Sequence, residues 1–443
     1  MLRGNTSNII IPIALSTLHK FSSTVFGFLN FFILARILTK FELGVWSIFL
    51  FIIAAFELSK GSLIKNAHIR LIINSNQKDY NFISGSSIMV NGIFTLVFIL
   101  LVLVCGPFFS NWLHLDNQLY QLLLYYIPGI IIMVYFSHYE AVQQSFQNFK
   151  PCFTANLIRQ GVFFLFLLYH FITNEKVDLP LLVKYITLGN VLSLITLFYL
   201  TKKHLSFHFH YTYKIVREIL SYGSYMLGGN IVNQISSNLD QLLLSRFLSA
   251  DFIGYYGIAS RVMYAVDIPM NGVSEAMFPS FTKASAENDK NQFNTYLEKA
   301  IGSLLAIMIP ISIILIVFSS TVIQIVAGSS FLDAQMVLQI YVLITIINIF
   351  KHQSSNTLLS LGKSRLHFWI TTIQFAITIL LMYVGISYFD YLGPAYARLL
   401  IALLSLIVWI FIMKRLTNID ISNILKYLLN FYPALINKML GKA

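Results

Sequence analysis

Ala35-Arg36-Ile37-Leu38-Thr39-Lys40-Phe41-Glu42-Leu43-Gly44-Val45-Trp46 has an echo in the second half of the chain, Arg246-Phe247-Leu248-Ser249 followed by Gly254-Tyr255-Tyr256. Arg36 answers to Arg246 and Gly44 to Gly254, each 210 positions apart, in a chain of 443 residues. Half the chain thus repeats the other half, and both copies sit among long apolar runs. Two repeated bundles of hydrophobic spans are the build of a transporter, with the substrate route between the repeats.

Composition points the same way. Hydrophobic residues make up 57% of the chain and charged ones 11%, against about 25% charged in soluble domains; the mean hydropathy is +0.73. Residues 1–11 lack the apolar core and small-residue cleavage site of a signal peptide, so the first span is expected to serve as a retained insertion signal. Cys105 and Cys152 fall at opposite ends of spans, and no disulfide is expected between them.

Runs of about 20 residues suffice to cross a bilayer. They are read at 12–34, 43–64, 83–107, 118–143, 151–173, 180–201, 222–247, 253–280, 297–325, 333–361, 366–388 and 391–413. The expected fold is all-α and polytopic, with 12 transmembrane helices in two six-helix lobes. The lobes are 1–201 and 222–413, joined by a cytoplasmic linker at 202–221 and followed by an amphipathic tail at 414–443. Orientation follows from the basic residues. One set of connections carries most of them, such as Lys65, Arg70, Lys78, Lys202, Lys203, Lys363 and Lys414, while the other holds Arg36, Lys40, Lys176 and Arg246. Both termini are therefore expected in the cytoplasm. The net charge of +12 is a topology signal, and nucleic acid is not expected as a partner. His204, His208 and His210 have no Cys or carboxylate neighbours for metal binding and read as part of a solvated linker.

No phosphate-binding Gly-rich loop ending in Gly-Lys-Ser/Thr, His-Glu-x-x-His or Gly-x-Ser-x-Gly is present. The chain is expected to be no enzyme, with no cofactor and no metal site. What remains is polar groups within spans, which are expensive in hydrocarbon and usually functional. Ser16, Lys20, Ser23, Thr24 and Gly27 share one helical face of the first span. Asn230, Asn233, Gln234, Ser237 and Gln241 do so on the seventh, and the 210-residue offset superimposes the two stripes. They are read as lining the passage, with hydrogen bonding between packed helices as the alternative. Lys20, Lys60, Arg261, Lys351 and Arg398 are the candidate cations for an anionic substrate. Glu57, Asp240, Asp267 and Glu275 are the candidates for ion coupling. Glu57 and Lys60 are spaced to neutralise each other, and Asp267 can alternatively bridge to Arg261. Glu140 and Arg159 read as a structural pair.

The stretches Leu239-Asp240-Gln241, Ser245-Arg246-Phe247-Leu248-Ser249, Gly254-Tyr255-Tyr256-Gly257-Ile258-Ala259 and Phe278-Pro279-Ser280, together with Ala35 to Trp46, resemble O-antigen and capsule repeat-unit flippases (Wzx-type). These belong to the multidrug/oligosaccharidyl-lipid/polysaccharide exporter superfamily. The resemblance implies a MATE-like pair of lobes around a central cationic cavity. It implies a substrate of oligosaccharide repeat units on undecaprenyl pyrophosphate, moved from the inner to the outer leaflet of the bacterial cytoplasmic (inner) membrane. It also implies coupling to H+ or Na+ and work alongside polysaccharide polymerase machinery. The alternatives are a drug or cation exporter of the same superfamily, which favours acidic passage residues, and a membrane-bound polymerase or ligase, which needs a large external loop.

Overall fold

A computed structural model describes residues 10–74, 80–146, 148–202, 210–268, 270, 273, 281, 289–361, 363–417 and 419–439. Their regular structure is helical throughout. The chain divides into two compact units, Met1–Asp251 and Phe252–Ala443.

The first unit opens with α1 (Ile10–Ile37) and α2 (Lys40–Lys60). The turn between them is set by Thr39, whose hydroxyl accepts from the Glu42 amide while the Glu42 carboxylate returns to the Thr39 amide. This capping box satisfies the first free donors of α2. A π-helical turn, Gly61–Lys65, carries α2 into α3 (Asn66–Asn74). Then come α4 (Tyr80–Trp112), α5 (Gln118–Tyr125), α6 (Ile127–Ser145), α7 (Phe149–Thr173), α8 (Leu179–Thr201) and α9 (Tyr213–Phe247). Pro128 in the first turn of α6 lacks an amide donor, and α5 meets α6 at a 47° bend. Helix α1 packs on α7, α7 on α8 and α8 on α6.

The second unit holds α10 (Asp251–Val266, whose first residue belongs to the first unit), α11 (Lys290–Val317), α12 (Ser319–Ala327), α13 (Ala334–Ser360), α14 (Ser364–Phe389), α15 (Gly393–Leu416) and α16 (Ile421–Met439). Helix α13 packs on α11 and α15, and α14 on α15.

Helices fall on the stretches read as spans, the eighth being described only in its first part. Among the described residues, seven helical stretches are long and apolar enough to cross a membrane, or eight if α5 and α6 form one broken span. Helix α4 shows why the surrounding medium is lipid. Val104 is 76% exposed and Phe108 74% exposed, in a row with Ile93, Leu96, Val97, Leu100 and Leu101. An exposed apolar stripe of that length is not compatible with water. The protein is a multi-pass membrane protein.

One element differs from the sequence reading, and the amphipathic tail gains a neighbour. Helix α9 begins at Tyr213, taking in much of the stretch read as linker. Its first turns alternate exposed Lys214, Arg217 and Glu218 with Ile215, Val216 and Ile219. That apolar face packs on Leu63, Ile64, Ala67 and Val90 of the first unit, so tertiary burial extends the helix beyond its hydrophobic run. Just before it, the Thr212 amide donates to Ser86 Oγ at 3.2 Å, and His210 meets Phe82 edge-on at 5.6 Å. His204 and His208 lie outside the described residues.

The tail helix α16 has a partner within the chain, α11, and runs parallel to it. Buried Glu298 accepts from the Asp420 amide at 2.8 Å and from Asn423 Nδ2 at 3.1 Å. Gly302 lets α16 approach closely: a Cβ there would stand 2.6 Å from Tyr427 Cβ and 2.8 Å from the Ile424 carbonyl. Farther on, Tyr432 Oη donates to the Ala306 carbonyl at 2.8 Å. That carbonyl is the one Pro310, four residues later and lacking an N–H, leaves free. Tyr432→Phe should therefore cost about 1–2 kcal/mol, read as a lowered Tm and faster limited proteolysis beyond residue 420.

Candidate functional site

The polar stripe of α1 divides in the folded chain. Ser23 accepts from Asn156 Nδ2 of α7 at 2.8 Å and donates to the His19 carbonyl at 3.1 Å. Asn156 is buried and also accepts from Arg159 Nη2 at 3.0 Å. Ser23 thus belongs to a seam between α1 and α7, whereas Thr24 is exposed. On α9, Gln234 and Ser237 are part-buried and exposed respectively, and Asp240 and Gln241 are buried. Asp240 Oδ1 accepts from the Gln241 amide at 3.0 Å. The side chains of Lys20, Asn230 and Asn233, and the whole of Glu275, lie outside the described residues.

The charges near the π-turn are matched. Lys60 is 2% exposed, its ammonium 2.9 Å from Glu57 Oε1 and 4.9 Å from the Phe56 ring centroid. An isolated buried cation is costly, but a bonded pair is tolerated, so Lys60 and Glu57 neutralise each other as their spacing suggested. Five residues on, Lys65 bridges to Glu140 Oε2 of α6 at 2.8 Å. This corrects the expected pairing of Glu140 with Arg159. Arg159 instead bonds Asn156 and lies over the Phe136 ring at 5.3 Å. The π-turn inserts an extra residue per turn, and the side chain that faces α6 is Lys65, which hydropathy alone had placed in a connection.

Between these two ion pairs is a small cavity, about 10 Å³, lined by Lys60, Lys65, His68, Ser87, Asn91 and His138 among others. His68 and His138 stack with centroids 4.9 Å apart and planes inclined by 14°. Ser84 Oγ lies 3.1 Å from His138 Nε2, and Asn91 Nδ2 donates to Ser137 Oγ at 3.0 Å. The sequence reading missed this cluster, although Ser84, Ser87, Asn91 and Thr95 repeat at helical spacing in α4.

In the second unit, Arg261 is part-buried on α10. Asp267 follows that helix, with its amide on the Met263 carbonyl at 2.8 Å. Asp267 Oδ1 is buried with no hydrogen-bond partner among the described residues, and Asp267 does not bridge to Arg261. Lys351 on α13 is part-buried and has no hydrogen-bond or ion-pair partner among the described residues. It lies within electrostatic reach of Arg398 on α15. The Arg398 guanidinium stands 6.0 Å from the Tyr341 ring centroid. Two cations on neighbouring helices therefore share one region, and an anionic group is the chemistry that would offset Lys351. Cys105 is exposed and Cys152 buried, both free thiols. Among the described residues no group of three His, Cys, Asp or Glu side chains is placed to hold a metal.

Solved structures share this fold. One titled "Lipid II flippase MurJ, inward closed conformation" superposes with a TM-score of 0.76 at 18% identity, covering 97% of this chain and 93% of that one. An inward-facing multidrug resistance MATE family transporter gives a TM-score of 0.74 at 13% identity, covering 89% and 95%. Among curated relatives, the putative O-antigen transporter of Shigella flexneri is 22% identical, covering 42% of this chain and 44% of the relative. The lipopolysaccharide biosynthesis protein WzxC of Escherichia coli (strain K12) is 22% identical, covering 46% and 41%. The teichuronic acid biosynthesis protein TuaB of Bacillus subtilis (strain 168) is 26% identical, covering 35% and 32%. The chain thus spans less than half the length of each of these three relatives. A family model takes in far more of it, residues 33–336. That stretch runs from the first Arg-Gly signature through its repeat and into α13. The chain belongs to the family described as "Polysaccharide biosynthesis protein".

Proposed function

We propose that this chain is a flippase for lipid-linked oligosaccharide repeat units, carried on undecaprenyl pyrophosphate, from the inner to the outer leaflet of the bacterial cytoplasmic membrane. The family match over residues 33–336 carries the reading, and similarity to a putative O-antigen transporter supports it. Twelve crossings in two repeated six-helix lobes, with both termini cytoplasmic, alternate access to the two faces. Division ahead of α9, near 202–212, is consistent with the sequence repeat.

Lys351 and Arg398 neutralise the diphosphate, with Arg261 and Lys20 as further cationic contacts. Lys60 brings no net charge because Glu57 matches it. Gln234, Ser237 and Thr24 hydrate the sugars, together with Asn230 and Asn233. Ser23 and Gln241 act from within the packed helices. Transport is coupled to H+ or Na+, which biases two states through differential affinity. Asp240 and Asp267 are carboxylates suited to that coupling. Polysaccharide polymerase machinery receives the product at the outer leaflet.

Deleting the gene in its host should trap lipid-linked repeat units in the inner leaflet, and a plasmid copy should release them. Normal translocation with shortened polymer would instead make the chain a polymerase or ligase. Normal polysaccharide with raised sensitivity to cationic drugs would make it a drug exporter.

A further inference from the structure

The cavity beside the π-turn has a chemistry that the flippase reading does not use. Four buried polar atoms of its lining residues have no hydrogen-bond partner among the described residues: His68 Nε2, His138 Nδ1, Ser87 Oγ and Asn91 Oδ1. His68 is 1% exposed and His138 4% exposed. Buried polar groups are almost always satisfied, and a space of about 10 Å³ with several polar partners fits one water molecule. A single water is therefore the expected link between two imidazoles whose rings already stack at 4.9 Å.

We propose that His68 and His138 form a proton-binding site, taking up one proton shared through that water. The proposal rests on the ion-coupled transport above and adds to Asp240 and Asp267 a further group that takes up a proton. A hydronium in the cavity gives its proton to His138 Nδ1 or His68 Nε2 and is left as water; release reverses the step. The His138 ring, once protonated, donates from Nε2 to Ser84 Oγ, 3.1 Å away. Only one proton is held, because two imidazolium ions at stacking distance repel strongly.

The surroundings select a proton over a metal cation. On α2 the cavity meets Lys60 with Glu57, and on the π-turn Lys65 with Glu140 of α6; both pairs are matched at 2.9 and 2.8 Å. A space of about 10 Å³ that offers two imidazoles, serine hydroxyls and one amide oxygen has too few oxygen ligands and too little room for Na+. Helix α4 presents Ser87 and Asn91, which do not titrate. On α9, packed against the π-turn and α3, the ionisable side chains Lys214, Arg217 and Glu218 stand exposed. Glu140 also lies within electrostatic reach of His19 and Arg159 on α1 and α7. Arg70 on α3 is exposed. The Lys65–Glu140 pair is part-exposed and marks the way in for the proton.

The test uses the full chain in lipid nanodiscs with ¹⁵N-labelled histidine, titrated from pH 8 to pH 5 by NMR. His68→Gln and His138→Gln assign the two rings. The expected result is one shared proton, with either substitution changing the titration of the remaining ring. Ser87→Ala removes one partner of the water without touching a ring. It should move the shared midpoint by about half a pH unit or more, which keeps the test decisive if a glutamine variant fails to fold. Two rings that stay neutral throughout, as for a purely structural water, overturn the proposal, as do rings that each take a proton independently. Delivery of lipid-linked saccharide, scored separately, distinguishes the two readings. Intact delivery without a shared proton removes the proton site and leaves the flippase; a shared proton without delivery does the reverse.

Discussion

Lys351→Met should lower delivery of lipid-linked saccharide to the outer leaflet at least about tenfold, equivalent to about 1.4 kcal/mol, while raising the stability of the protein. The opposition of the two effects makes the test sharp. Lys351 is part-buried with no partner among the described residues, and Arg398 lies in the same region. Holding a lone cation inside the membrane costs roughly 2.5–3.5 kcal/mol on insertion scales. Methionine has a similar reach and no charge, so it removes that penalty. A residue kept for folding gives the reverse outcome, lower stability. Surface polysaccharide together with a thermal melt of the purified protein separates the two, and unchanged polysaccharide would remove Lys351 from the substrate path. Lys351→Arg, which keeps the charge, should retain most of the delivery.

Gly44→Leu is expected to have the largest structural effect. A Cβ at Gly44 would overlap the carbonyl oxygen of Ala250, in the corner between α9 and α10. The neighbour is backbone, so no rotamer change makes room. The corner is held nearby as well: Ser245 Oγ donates to the Leu113 carbonyl at 2.6 Å, and Arg246 lies 3.4 Å from His114 and 5.6 Å from the Trp112 ring centroid. Overpacking typically costs 1–3 kcal/mol, and against backbone the loss should reach about 3 kcal/mol, a fall in Tm with reduced yield of folded protein. Gly92→Ala is the matched control. Nothing lies within 4 Å of a Cβ there, and replacing a mid-helix glycine should raise stability by about 0.5–1 kcal/mol. Equal melting of Gly44→Leu and the parent would show that α2 does not need this close approach.

The sequence by itself determined the class of molecule and the course of its helices. Hydrophobic length, the echo of Arg36 and Gly44 at Arg246 and Gly254, and the Arg-Gly-aromatic signature are local or strictly periodic properties. Those survive without knowledge of neighbours. The Glu57–Lys60 pair was legible for the same reason, since three residues on a helix fix the distance. Partners across helices were decided only by the tertiary structure. Glu140 meets Lys65 rather than Arg159, Ser23 meets Asn156, α16 lies along α11, and His68 stacks on His138. Helix α11 gives the physical cause. It buries Ile301, Leu304, Leu305 and Met308 and leaves Ile313, Ile314 and Val317 exposed, and acyl chains are as apolar as leucine. Hydropathy therefore cannot say which face meets protein. Helix packing decides which polar groups come within hydrogen-bonding distance, and the candidate site is built from those encounters.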